Sequence, residues 1–89
     1  MHFVYILRCA DNSLYTGYTN DLKNRIKVHN SGKGAKYTRA RIPVSLVFYR
    51  RVDSKSIGLK LEARLKKLNK KQKEDLVQKF ALRNEISLS

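Results

Sequence analysis

Two tyrosine-bearing segments, Val4-Tyr5-Ile6 and Tyr15-Thr16-Gly17, stand ten residues apart with turn-forming Asp11-Asn12-Ser13 between them. Residues 2–9, HFVYILRC, are rich in aromatic and β-branched types and predict a strand. Residues 14–19, LYTGYT, predict a second strand, so the chain opens on a β-hairpin. Asp, Asn and Ser favour the turn because their short side chains bond to nearby backbone. A three-residue loop at Asp11–Ser13 sets Ala10 opposite Leu14, Cys9 opposite Tyr15 and Tyr5 opposite Thr19. In that register Tyr5, Tyr15 and Gly17 share one sheet face, because the side-chain period is two. A four-residue loop would separate the tyrosines.

The remaining pattern fills in an α+β domain. Asn20 suits a helix N-cap, with Asp21 placed where the helix dipole favours negative charge. That helix runs to about Asn30 with Leu22 and Ile26 inward, and Gly32 or Gly34 suits its left-handed C-terminal cap. A basic loop from Lys33 to Arg41 follows, and Pro43 precedes a third strand over 44–51. Asp53 or Ser54 can start a second helix, whose stripe Ile57, Leu61, Leu65 and Leu68 has helical spacing. Gly58 inside it lowers helix propensity by about 1 kcal/mol relative to Ala, so it implies close packing or a later start. Asn69 and Gln72 form a capping-box pattern for a third helix with Leu76, Val77 and Phe80 inward. Residues 1–80 form the expected domain and 81–89 a short element or tail.

Charge points to the partner. The 89 residues carry 20 Lys and Arg against 7 Asp and Glu, a formal net charge of +13. So basic a small domain suits a polyanion, with nucleic acid ahead of a merely solvated surface or an anionic membrane face. A lone cysteine, Cys9, cannot form an internal disulfide and reads as a small buried hydrophobe. No apolar run nears the ~20 residues that span a bilayer. The expectation is a soluble, cytoplasmic protein.

Several side chains could do chemistry. A strand tyrosine is usually a packing residue, and a phenol is a poor base without a neighbouring cation or metal. Arg25 and His29 are four residues apart on the first helix and so share a face. Aimed at the hairpin, they would form a phosphate-binding and proton-handling patch, the planar guanidinium holding two phosphate oxygens at once. Glu62 either pairs with Lys66 at i,i+4 or, if a hard cation binds, is the best single ligand. Mg²⁺ takes few protein carboxylates and completes its shell with water and phosphate oxygens. Lys33, Lys36, Arg39 and Arg41, with Tyr37 among them, and Lys66 with its lysine neighbours would contact the phosphate backbone. Tyr37 and Tyr18 are candidates for stacking on a base.

These residues together resemble the GIY-YIG nuclease family. Val4-Tyr5-Ile6 is similar to the first half of its motif with Val for Gly, and Tyr15-Thr16-Gly17 to the second half with Thr for Ile. Arg25, His29, the stretch Gly32–Arg41 and Glu62 follow the same pattern over about residues 1–80, closest to the small single-domain bacterial members. The resemblance implies a three-stranded antiparallel sheet flanked by helices and a DNA endonuclease using one divalent metal, Mg²⁺ or Mn²⁺. It casts Tyr5 as general base or water-positioning group, Tyr15 as a hydrogen-bonder near the phosphate, and Arg25 as the stabiliser of developing charge. Glu62 would bind the metal, His29 would orient Tyr5 or relay a proton, and Gly17 would be structural. The family's later asparagine has no match: Asn69 comes early and its capping role accounts for it. Expected cleavage is weakly selective or structure-selective, on DNA rather than RNA, with a protein partner supplying selectivity. The alternatives are a non-cleaving nucleic-acid-binding module and a subunit docking an acidic protein.

Overall fold

A computed structural model describes residues 1–84. Strands β1 (His2–Arg8), β2 (Leu14–Thr19) and β3 (Ser45–Val52) form one antiparallel sheet in the order β2-β1-β3. Helices α1 (Leu22–Asn30) and α2 (Lys36–Arg39) lie between β2 and β3, and α3 (Lys55–Lys66) and α4 (Lys70–Asn84) follow. The fold is α+β, as the element pattern predicts.

β1 is central, and its Val4, Tyr5, Ile6 and Leu7 are all buried. Alternate residues serve opposite faces. Tyr5 and Leu7 join Cys9, Val44, Leu22 and Ile26 under α1, while Ile6 joins Val47, Phe48 and Val77 under α4. A register shift between Ile6 and Leu7 sets Ile6 opposite Phe48 and Leu7 opposite Leu46, leaving Val47 as the extra residue of a bulge. The bulge lets the consecutive residues Val47 and Phe48 join the same face of the core, while Leu46 joins the other.

The hairpin loop has three residues, but one position earlier than expected. Cys9 and Ser13 close it through a 2.8 Å bond from Cys9 N–H to Ser13 O. Asn12 takes the left-handed position with φ 69°, which a short polar side chain tolerates. Asp11 then accepts from the Ser13 N–H at 3.0 Å. The register moves by two residues, setting Tyr5 opposite Gly17 and Leu7 opposite Tyr15. A shift of two preserves the faces, so Tyr5, Tyr15 and Gly17 remain together.

Asp21, not Asn20, caps α1, accepting from Asn24 N–H at 3.2 Å. Its far end closes with Gly32 at φ 81°. The Gly32 N–H bonds to His29 O at 3.1 Å and the Lys33 N–H to Val28 O at 3.3 Å, the two bonds of a Schellman cap. The predicted basic loop contains the four-residue α2, a single turn too short for a periodic signal. Ser54 caps α3. Ile57 is half exposed and Gly58 is buried in its place, facing Tyr18 and Val52, so Gly58 packs directly on the sheet. The Asn69–Gln72 capping box forms with reciprocal bonds of 2.9 and 3.0 Å. α4 continues unbroken past residue 80 to Asn84, and residues 85–89 of the expected tail lie outside the described residues. A two-pronged ion pair from Arg8 to Glu74, at 2.7 and 2.9 Å, ties α4 to β1 and brings the Glu74 carboxyl down to about 2.

Candidate active site

Gly17 determines where the Tyr5 ring lies. The two residues are opposite each other in the β1–β2 ladder, and the ring covers the glycine so closely that a Cβ there would overlap the phenol oxygen. The phenol thereby reaches α1, where Tyr5 Oη stands 2.9 Å from His29 Nε2. The other ring nitrogen, Nδ1, is 2.8 Å from Thr38 Oγ1 on α2. Thr38 donates its one hydroxyl hydrogen to the Ala35 carbonyl at 3.0 Å, so it accepts from His29 Nδ1–H. That order leaves Nε2 as an acceptor and makes Tyr5 the donor. Tyr5, His29 and Thr38 are 1%, 0% and 0% exposed, so the bonds that join them are shielded from bulk solvent.

Gly34 matters in the same way. A Cβ on it would overlap His29 Nδ1 and come within 2.9 Å of His29 Cα, so the loop after α1 can close over the histidine only with glycine there. Thr38 and Gly34 are the supporting residues that sequence reasoning missed as part of the site. The turn of α2 that carries Thr38 has no periodicity to reveal it.

Electrostatics separate the two proton-bearing groups. Burial, and then the charge of Arg25, lower the His29 pKa, which keeps the imidazole neutral. Burial raises the Tyr5 pKa, and the Arg25 guanidinium beside it pulls the other way. Tyr15 and Glu62 add to the rise. Arg25 and Glu62 therefore both act on the Tyr5 phenol, from α1 and α3 respectively.

Tyr15 joins the group by ring contact. Its ring meets the His29 ring edge-on at 5.3 Å, lies 6.5 Å from that of Tyr5, and stacks on Tyr37 at 6.0 Å. Arg41 covers the outer end, its guanidinium 4.0 Å from the Tyr37 ring centre. Arg41 also bonds to Asp11 at 2.9 Å and to the Tyr37 carbonyl at 2.7 Å, and Arg39 bonds to the Gly34 carbonyl at 3.3 Å. Those two arginines hold the loop in shape, while Lys33 and Lys36 are exposed beside it. Tyr18 is committed elsewhere, 2.6 Å from His2 and against Gly58.

The profile of the GIY-YIG catalytic domain matches residues 1–75. The chain belongs to the GIY-YIG family. Among its relatives, a UPF0213 protein of Bacillus velezensis is 54% identical over 77 residues, covering 86% of this chain and 78% of the relative. A UPF0213 protein of Natronomonas pharaonis is 51% identical over 76 residues, covering 85% and 89%. Two solution NMR structures share the fold. The UPF0213 protein of Bacillus halodurans has 52% identity and a TM-score of 0.57, covering 86% of this chain and 82% of that one. A protein of E. faecalis has 43% identity and a TM-score of 0.60, covering 91% and 86%. This is a small GIY-YIG domain of nuclease type, and a nucleic-acid substrate goes with the family.

Among the described residues, Glu62 is the carboxylate whose charge acts on the Tyr5 phenol. Glu62 has an 18% exposed side chain and pairs with Lys66 at 3.2 Å. Among the described residues no cluster of three or more His, Cys, Asp or Glu is arranged to hold a metal. A single partly shielded carboxylate does fit a hard divalent cation that keeps several waters and takes phosphate oxygens. It does not fit a tightly held structural ion. No described helix is long and apolar enough to cross a membrane.

Proposed function

We propose that this GIY-YIG domain is a metal-dependent DNA endonuclease of the cytoplasm, weakly selective or selective for DNA structure. The observation that carries the reading is the buried chain Tyr5–His29–Thr38. A tyrosine needed only for packing requires no neutral histidine with a fixed tautomer behind its hydroxyl. In this reading Tyr5 Oη receives a proton from the attacking water while passing its own to His29 Nε2. Thr38 holds the imidazole in the tautomer that can accept it. Coupling the two transfers suits a phenol whose own pKa is raised, because no free phenolate has to form.

Arg25 is the group beside Tyr5 that stabilises charge developing on the attacked phosphate, and Tyr15 hydrogen-bonds to the same phosphate. Glu62 would hold Mg²⁺ or Mn²⁺. Such an ion, when bound, supplies charge neutralisation at the phosphate and the leaving oxygen. Lys66 competes for that carboxylate, so it would be released toward the DNA backbone when a cation is held. Lys33, Lys36 and the Tyr37–Arg41 stack flank the tyrosines and would receive the strand.

Purified protein with Mg²⁺ or Mn²⁺ should cut at least one of single-stranded, duplex or branched DNA, and Glu62→Ala should abolish cutting while retaining salt-sensitive binding. Full activity in that variant removes Glu62 from the mechanism. Binding without cleavage in the unmodified protein would leave a nucleic-acid-binding module of the same fold.

A further inference from the structure

A second basic surface lies away from the tyrosines. Arg50 and Arg51 on β3 and Lys60 and Arg64 on α3 converge on a groove of about 460 Å³, with Ile57 and Leu61 between them and Asp53 the one carboxylate in its wall. Arg50 and Leu61 also line an adjoining hollow that reaches Lys79 and Arg83 on α4. The two hollows thus form one track with six cations along it. All six are exposed, and their side chains make no hydrogen bond or ion pair among the described residues. Arg8, Arg41, Lys66 and Lys70 each have an acidic partner.

The placement within the fold is informative. On α3 the track residues Ile57, Lys60, Leu61 and Arg64 recur at i, i+3, i+4 and i+7 and make one face. Gly58, Glu62 and Leu65 make a neighbouring face roughly 110° away, from the 3.6-residue turn. One helix therefore presents Glu62 toward the tyrosine site and a cationic stripe elsewhere. In the sheet, β3 is the edge opposite β2, which carries Tyr15 and Gly17. A phosphate backbone lying in the track therefore meets the sheet at the edge away from Tyr15 and Gly17.

We infer that this track is a second phosphate-binding surface, which holds a neighbouring arm of a branched DNA while another arm occupies the tyrosine site. The inference rests on the nuclease reading and adds a source of structure selectivity within the catalytic domain itself. Its physical basis is charge complementarity. Lys60 and Arg64 are like charges at i,i+4 on one face of α3, so an unneutralised track is internally repulsive. A phosphate backbone relieves that repulsion and releases counterions. The line of cations crossing from α3 over β3 to α4 matches an extended polyanion better than a compact acidic patch.

The test uses the whole chain and two DNAs: a three-way junction, and a linear duplex of one arm, too short to reach both surfaces. The variant Arg50→Gln/Lys60→Gln/Arg64→Gln should bind the junction at least tenfold more weakly and the short duplex within twofold of the unmodified protein. Its slope of log K against log salt on the junction should be shallower by about 0.9 for each phosphate that is no longer neutralised. Lys79→Gln/Arg83→Gln, at the far end of the track, should weaken junction binding further. Unchanged junction affinity, or equal losses on both DNAs, overturns the second-arm role and leaves the nuclease reading standing. Failure of the unmodified protein to bind any DNA defeats the nuclease reading itself. Melting curves check the fold, and the exposed pair Lys60→Gln/Arg64→Gln serves alone if the triple variant does not fold.

Discussion

His29 has no solvent-exposed surface, and both its ring nitrogens are committed, one to Tyr5 and one to Thr38. Removing the threonine hydroxyl leaves the buried Nδ1–H without an acceptor, which costs about 1–3 kcal/mol. It also frees the imidazole to take the tautomer that cannot accept from Tyr5. Thr38→Ala should therefore lower the cleavage rate by about tenfold or more, a fraction of the roughly 10²–10⁴ typical of general acid–base groups. Thr38→Ser should restore most of it. A packing role alone would give similar rates for the two variants at a temperature where both are folded. Acid should act on the same residue. The folded pKa of His29 lies below the ordinary 6.5, with burial the leading cause and the Arg25 charge second. Between those two values the unfolded chain binds a proton that the folded one refuses, so stability is present above pH 6.5 and is lost as pH falls through the folded pKa. Melting temperature should drop across that window, and the drop should be smaller in His29→Gln; equal slopes would mean that His29 is not the group responsible. Arg25, His29 and the two tyrosines are legible in the sequence because helix and strand periods place them. Thr38 and Gly34 are not, since their roles depend on how the segment after α1 closes over His29, which no local period encodes.

At the scale of elements, α3 shows what a stripe of apolar residues conceals. Spacing alone puts Ile57 in the core, yet Gly58 is the residue pressed against the sheet. A Cβ at Gly58 would stand 2.8 Å from Tyr18 Cε1 and 3.3 Å from a Val52 methyl. Tyr18 cannot swing aside freely, because its hydroxyl is held by His2 at 2.6 Å. Gly58→Ala gains about 1 kcal/mol of helix propensity and loses about 1–3 kcal/mol to overpacking. The net should be destabilising, read as a lower denaturant midpoint at unchanged m-value; a stabilised variant would show that α3 can back away from the sheet. Other elements are legible where a local chemical signal exists. The Asn69–Gln72 box and the Gly32 cap are such signals, and both form as their residue types predict. The hairpin loop falls one residue earlier than its composition suggests because Asp11, Asn12 and Ser13 are all turn formers. Only the left-handed backbone at Asn12 tells which three residues make the turn. The site is unaffected, since the register moves by an even number and keeps the tyrosines on one face.

For the whole molecule, a formal charge of +13 on 89 residues makes the folded state self-repulsive and its stability dependent on counterions. Of the six acids among the described residues, Asp11, Glu62 and Glu74 are in ion pairs, so half of the internal compensation is already used. A polyanion that binds the folded chain should therefore stabilise it strongly, and simple salt should both replace and oppose that effect. At a DNA concentration about 100 times Kd, linkage adds about 2.7 kcal/mol. For a domain of this size that corresponds to a rise in melting temperature on the order of 10 °C. Thermal scans at low salt should show this rise with duplex or junction DNA and a much smaller one in about 0.5 M salt, where the phosphate contacts no longer release counterions. Salt alone should raise the melting temperature of the free protein by screening its own charges. A DNA-induced rise of equal size at both salt concentrations would mean that the contacts are not to phosphate, and would take away the electrostatic basis of both surfaces.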